Sequence, residues 1–168
     1  VQNYASTYID GFYKALSYYS EYAFGNNDAS AFYSGINIYH ESFGASLEYK
    51  NYTNFLIGAG INDPPTLVKE HSSRLLNRST HVPILTSEKG YQLELNYQLP
   101  DGSYLLLNHA YAYNEIAIDY SFRFNEFYAE YQMNPINKTA AKVFIDCASD
   151  LFRLEDERYT GGLGLEIN

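Results

Sequence analysis

The chain has 168 residues, 46% of them hydrophobic and 17% aromatic, and its 20 Asp and Glu outweigh 11 Lys and Arg for a formal net charge of −9. That length fits one domain, and the acidic balance without any Lys/Arg cluster excludes nucleic acid as a partner and charge-driven adsorption onto anionic lipid. A single cysteine, Cys147, excludes a disulfide-stapled scaffold, and no Cys/His grouping has the spacing of a zinc site.

Mean hydropathy is only −0.36, because 19 Tyr and 10 Phe supply much of the apolar fraction. Both residues favour strands, and Tyr suits places where one end of a side chain is dry and the other wet. No apolar run approaches the ~20 residues of a transmembrane helix. A membrane barrel stays open, because its strands carry apolar residues only at every second position. The chain opens at Val1-Gln2-Asn3-Tyr4 without a basic or apolar leader and ends in strand-like Leu163-Gly164-Leu165-Glu166-Ile167-Asn168. It therefore reads as a mature or excised piece of something longer.

In chain order, Phe12 to Phe24 and Phe32 to His40 read as weak strands. Phe43, Ala45, Leu47 and Tyr49 then alternate with Ser46, Glu48 and Lys50, one oily face and one charged face. From Phe55 to Lys89 the period-two rhythm stops. Leu67, Val68, His71 and Leu75 fall at helical spacing after Asp63-Pro64-Pro65, which predicts a short helix within a long excursion packed on a barrel's interior or rim.

The clearest strand follows at Tyr91-Gln92-Leu93-Glu94-Leu95-Asn96-Tyr97-Gln98-Leu99, where odd positions are apolar or aromatic and even ones polar. Pro100-Asp101-Gly102-Ser103 supplies a tight turn, and Tyr104 to Tyr113 returns as the second arm of a hairpin. Ile116 to Phe124 is a weaker strand. Phe127, Ala129, Tyr131 and Met133 oppose Glu126, Tyr128, Glu130 and Gln132; after Asn134-Pro135-Ile136-Asn137, the residues Val143, Ile145 and Cys147 oppose Lys142, Phe144 and Asp146. Gly161 to Ile167 closes the series. The result is about eight to nine strands, most about 9 to 13 residues long, longer than the usual soluble strand and suited to a tilted bilayer crossing. The fold class is all-β, an antiparallel meander forming a β-barrel or part of one, in a single domain over residues 1–168.

The segments Asn62-Asp63-Pro64-Pro65-Thr66-Leu67-Val68-Lys69-Glu70-His71, Leu75-Leu76-Asn77-Arg78, Glu88-Lys89-Gly90-Tyr91-Gln92-Leu93-Glu94 and Phe124-Asn125-Glu126-Phe127-Tyr128-Ala129-Glu130 resemble an uncharacterised outer-membrane β-barrel family of Bacteroidetes-type Gram-negative bacteria. The resemblance covers the middle of the chain onward. It implies an outer-membrane location and an internal portion of a longer barrel, and it brings no activity and no catalytic residues.

Glu48, Lys50, Glu94, Asn96, Glu126 and Glu130 are the candidate binding residues, placed by alternation on the polar side that lines a barrel interior. Paired carboxylates there could serve acid/base chemistry, but a barrel lumen that is simply polar is the preferred account of them. His71 and His81 with Ser72 and Ser73 lack a G-x-S-x-G elbow, which argues against a hydrolase. His40 and His109 read as interface or lumen residues and not as metal ligands. Gly58, Gly60, Gly90, Gly161, Gly162 and Gly164 have no following Lys-Ser/Thr and read as relief of crowding in a wall. Cys147 shares a face with Val143 and Ile145 and reads as a small hydrophobe.

The expected function is a non-enzymatic outer-membrane barrel, structural or porin-like, without cofactor or metal. Its expected partners are the lipid bilayer, then small solutes or other envelope proteins. The alternative is a soluble extracytoplasmic β-sandwich that binds carbohydrate or protein through Tyr clusters such as Tyr18, Tyr19 and Tyr22.

Overall fold

A computed structural model of the chain describes residues 3–55, 87–117, 120–134, 139–150 and 155–167. They form nine strands: β1 Tyr4–Tyr13, β2 Leu16–Gly25, β3 Ser30–His40, β4 Phe43–Thr53, β5 Glu88–Gln98, β6 Tyr104–Ala117, β7 Tyr120–Gln132, β8 Thr139–Asp150 and β9 Glu155–Ile167. All nine lie in one antiparallel sheet in the order of the sequence, so β1 and β9 are its edges. The expected helix around Leu67 to Leu75 lies outside the described residues.

The turns explain which strand limits the sequence marks and which it hides. At β5–β6, Gly102 takes φ +83°, its amide donates to the Leu99 carbonyl over 2.9 Å, and the Asp101 carboxylate accepts from the Ser103 amide over 2.9 Å. Glycine and Asp do there what their chemistry suits them for. Between β2 and β3, Asn27 and Asp28 hold left-handed φ of 61° and 56°, which short polar side chains tolerate.

At Lys14, however, the chain reverses at φ 54° with no glycine, Asn or Pro to signal it. The expected strand from Phe12 to Phe24 is therefore two strands, β1 and β2, paired from Tyr13↔Leu16 outward. Ile116 to Phe124 is likewise not one element: β6 runs through Ala117 and β7 starts at Tyr120. At Lys14 the error comes from period-two alternation continuing across a reversal that no turn residue announces.

Directly paired residues of an antiparallel sheet point to the same side, so an uninterrupted register sorts the whole molecule into rows. One row joins Tyr18, Ile36, Leu47, Leu93, His109, Phe127, Cys147 and Tyr159 across β2 to β9. The neighbouring row on the same side joins Leu16, Ile38, Ala45, Leu95, Leu107, Ala129 and Ile145. The opposite side carries a row of Ser17, Asn37, Ser46, Glu94, Asn108, Tyr128 and Asp146.

The polar side is the buried one. Glu126 is 0%, Asn108 1% and Asp146 1% exposed, whereas Leu93 is 37%, Phe127 41% and Ile145 51% exposed on the other side. Crowding on one face and splay on the other is what a single sheet curled toward its polar face produces. Between the polar side chains sit aromatic ones: the Tyr128 and Phe144 rings stack at 5.9 Å beside Leu106, and Phe124 packs on Ala110 and Ala112.

Close packing on that face also assigns the glycines. A β-carbon on Gly162 would fall inside the Phe144 ring, and one on Gly44 would strike the Asn96 amide. Gly162→Val is expected to destabilise the sheet by roughly 1–3 kcal/mol through overpacking, and Phe144→Ala in the same chain is expected to return part of that loss. Equilibrium urea unfolding of the two single variants and the double variant checks it: strictly additive losses would place the Gly162 backbone away from Phe144.

Candidate functional site

The six candidate residues lie on one face, but in three groups. Lys50 and Glu48 stand on β4, Glu94 and Asn96 on β5, and Glu126 and Glu130 on β7. Strand β6 separates the last two groups, with Asn108 paired directly to Glu94 on one side and Tyr128 on the other.

Lys50 forms a buried ion pair with Glu88, the two side chains being 3% and 0% exposed. Lys50 also stands over the Tyr52 ring, 6.0 Å from its centroid. Beside them the Asn114 amide donates to the Ser87 carbonyl, and the Ser87 hydroxyl accepts from the Asn54 amide over 3.0 Å. These bonds tie the beginning of β5 to the end of β4 on the near side and to β6 on the far side.

The second group centres on β7. The Tyr128 hydroxyl donates to Glu130 over 2.6 Å, Lys142 of β8 approaches the same carboxylate at 3.8 Å, and Arg158 of β9 lies 3.6 Å from Asp146. Charges removed from water need such partners, since an unpaired buried ion costs several kcal/mol. Chemically the arrangement is a set of charge pairs and hydrogen bonds spanning β7, β8 and β9.

Four residues of these networks were not singled out from sequence, Ser87, Glu88, Asn114 and Arg158, and neither was the buried Asn108 beside them. Extending the β5 alternation back by one step finds Glu88, since Gly90 precedes Tyr91 in the same rhythm. Asn108 was hidden because Leu106, Ala110 and Ala112 are apolar on the polar face, so β6 alternates weakly.

The exposed face has its own order. Its middle rows are mainly aliphatic, and aromatic residues bound them toward both strand ends: Tyr49, Tyr91 and Tyr111 in one row, Phe43, Tyr97 and Tyr131 in another. The Tyr91 and Tyr111 rings stack at 5.8 Å. Beyond Tyr111 the same face turns charged, with Lys89 and Arg123 sharing the row of Tyr113. The few polar residues inside the band bond one another: Ser20 and Ser34 exchange a hydroxyl hydrogen bond of 2.8 Å, and the His109 ring nitrogen meets the Asn125 carbonyl at 3.0 Å. His40 pairs in register with Phe43 near a strand end, while His71 and His81 lie outside the described residues.

No protein family, no curated protein and no solved structure matches the chain.

The Lys50 and Glu88 pair makes a testable unit. Lys50→Met leaves a buried carboxylate without its ammonium and is expected to cost roughly 3–5 kcal/mol, whereas Lys50→Met with Glu88→Leu replaces the pair by apolar volume and is expected to recover most of it. Urea unfolding midpoints check the difference. A double variant as unstable as Lys50→Met alone would mean that the pair's worth lies elsewhere than in mutual neutralisation.

Proposed function

We propose that this chain is wall of a membrane β-barrel of the outer-membrane type, with a structural role: its aliphatic band faces lipid and its polar face lines the barrel interior. One observation carries the reading, the inversion of the usual soluble arrangement. In a soluble sheet the apolar side is buried and the polar side wet; here Glu126, Asn108 and Asp146 are buried while Leu93, Phe127 and Ile145 are exposed.

Three further features agree with it. Strands of 10 to 14 residues have the length of tilted crossings. On β6 the outward positions from Leu105 to Tyr113 cover about 26 Å along the strand at the usual rise, which a tilt of about 40° reduces to about 20 Å of height, somewhat less than the ~25 Å apolar band of membrane barrels. Aromatic rows on both sides of an aliphatic band are the arrangement such barrels place at the two membrane interfaces. Pairing of Ser20 with Ser34 and of His109 with Asn125 also spares polar groups from hydrocarbon.

The packing of the polar face over β6 to β8 favours an interior filled by side chains over an open water-filled channel. Binding through a Tyr18, Tyr19 and Tyr22 cluster loses its motive, because Tyr19 pairs with Asp10 and Gly35 on the polar face while Tyr18 and Tyr22 point the other way.

Paired substitutions on β5 test the assignment of the two faces. Leu95→Arg places a cation in the lipid band and is expected to destabilise the bilayer-inserted state by roughly 2–4 kcal/mol, while Glu94→Gln, on the interior face, is expected to leave insertion unchanged. Folding into phosphatidylcholine vesicles, followed by heat-modifiable gel mobility, reads both. Equal insertion of the two variants, or a monodisperse parent chain in buffer without detergent, would defeat the reading.

A further inference from the structure

We infer that one additional β-strand, antiparallel to both β1 and β9, closes this sheet into a ten-stranded barrel, and that neither direct β1 to β9 pairing nor a second copy of the chain does so. The inference rests on the barrel reading above and goes beyond it, because it specifies what lies at the seam.

Strand parity limits how the sheet can close. Each of the eight pairings in the meander is antiparallel, so every odd-numbered strand runs the same way and β1 is parallel to β9. Pairing those edges directly would place one parallel seam in an otherwise antiparallel sheet, with the slanted and slightly weaker bonding of parallel pairs. Two copies sharing one membrane orientation meet no better: β9 of one would face β1 of the other, again in parallel, at two seams. One strand of opposite direction satisfies both edges at once and brings the count to an even number, as in bacterial single-chain barrels.

Exposure shows where a neighbour is missing. On the polar face, side chains of β6 to β8 are sealed, yet Tyr8 and Phe12 of β1 on that same face are 66% and 83% exposed; on β9, Leu163 is 86% exposed toward the apolar side. Each edge has a long stretch without Pro or Lys: β1, Tyr4–Tyr13, has Asp10 as its one charged residue, and the charges of β9 stand at Glu155 to Arg158 and at Glu166, which leaves Thr160-Gly161-Gly162-Leu163-Gly164-Leu165 uncharged. Uncharged edge stretches of this length can template another strand. Parity allows an odd number of added strands, and the sealed polar face of β6 to β8 favours the smallest, one, because a filled interior belongs to barrels near eight strands and not to wide ones. The closing strand must be apolar outward, to continue the rows ending at Ile9 and Leu163, and polar or aromatic inward, where it covers Phe12.

Cross-linking in membranes of cells that make the protein from its own gene tests the seam. In a Cys147→Ser background, Ile9→Cys is combined in turn with Tyr159→Cys, Gly161→Cys and Leu163→Cys; Ile145→Cys with Gly161→Cys, which are direct partners, reports that the sheet has folded. One intervening strand sets β1 and β9 about 10 Å apart, two strand spacings. The expected result is an intramolecular link with a bismaleimide of that span and no disulfide under copper phenanthroline. A disulfide within one chain would establish direct closure, and a disulfide between chains would establish a second copy. Absence of both links beside a positive folding control would mean a wider gap. Any of these three overturns the inference. Flotation of the same membranes is scored separately, so a chain that fails to float refutes the membrane reading without touching the seam result.

Discussion

Everything in this molecule depends on register. Because side chains alternate along a strand, slipping one pairing by a single residue would carry every polar group of that strand to the opposite side. Eight successive pairings hold with register irregularities only at the far ends of β6 and β8, between Glu115 and Ala117 and between Ala148 and Asp150. That continuity turns nine local alternations into two surfaces of opposite character. It is secured locally by tight reversals, as at Gly102, and across strands by pairs of large and small residues, such as Phe144 over Gly162 and Asn96 over Gly44.

The polar surface is costly to bury, and its composition shows how that cost is met. Lys50 with Glu88, and Arg158 with Asp146, place opposite charges on adjacent strands, while Tyr128 supplies Glu130 with a hydroxyl proton. Between the charges, Phe144, Leu106 and Phe124 fill space with apolar volume. The polar face is therefore built of ion pairs and rings set side by side. Such an interior adds specificity to stability: a slipped strand would separate each cation from its carboxylate, and an unpaired buried charge is penalised far more than a paired one is rewarded.

The strands themselves were largely legible. β4, β5, β7 and β8 alternate cleanly, and the structure places Glu48, Lys50, Glu94, Asn96, Glu126 and Glu130 together on the face that alternation assigns them. What alternation could not supply was the break at Lys14, where a residue with no turn preference takes a left-handed conformation, and the break after Ala117, where β6 and β7 read as one rhythm. Nor could it name partners across strands. Lys50 and Glu88 lie far apart in sequence, and only the β4 to β5 register brings them side by side. Periodicity fixes the face of a residue; pairing fixes its neighbour, and pairing is a property of two segments at once.

The two surfaces also constrain each other energetically. An apolar face left against water costs about 25 cal/mol for each Å² exposed, and here it runs across the sheet with few polar interruptions, such as Ser20, Ser34 and His109, beyond the scattered apolar residues that soluble surfaces tolerate. A second sheet would cover it in a sandwich, and among the described residues there is one sheet only. On the proposed reading lipid would cover it without any second layer and for the whole band at once, and the aromatic rows at the band's limits with the charged positions Lys89 and Arg123 beyond them agree with that. Lipid gives the backbone nothing to bond with, however, so a sheet that turns this face to hydrocarbon must leave no strand edge unpaired. On the proposed reading the same residues would require both a bilayer and a closed ring, which ties the unpaired edges of β1 and β9 to the exposed band between them.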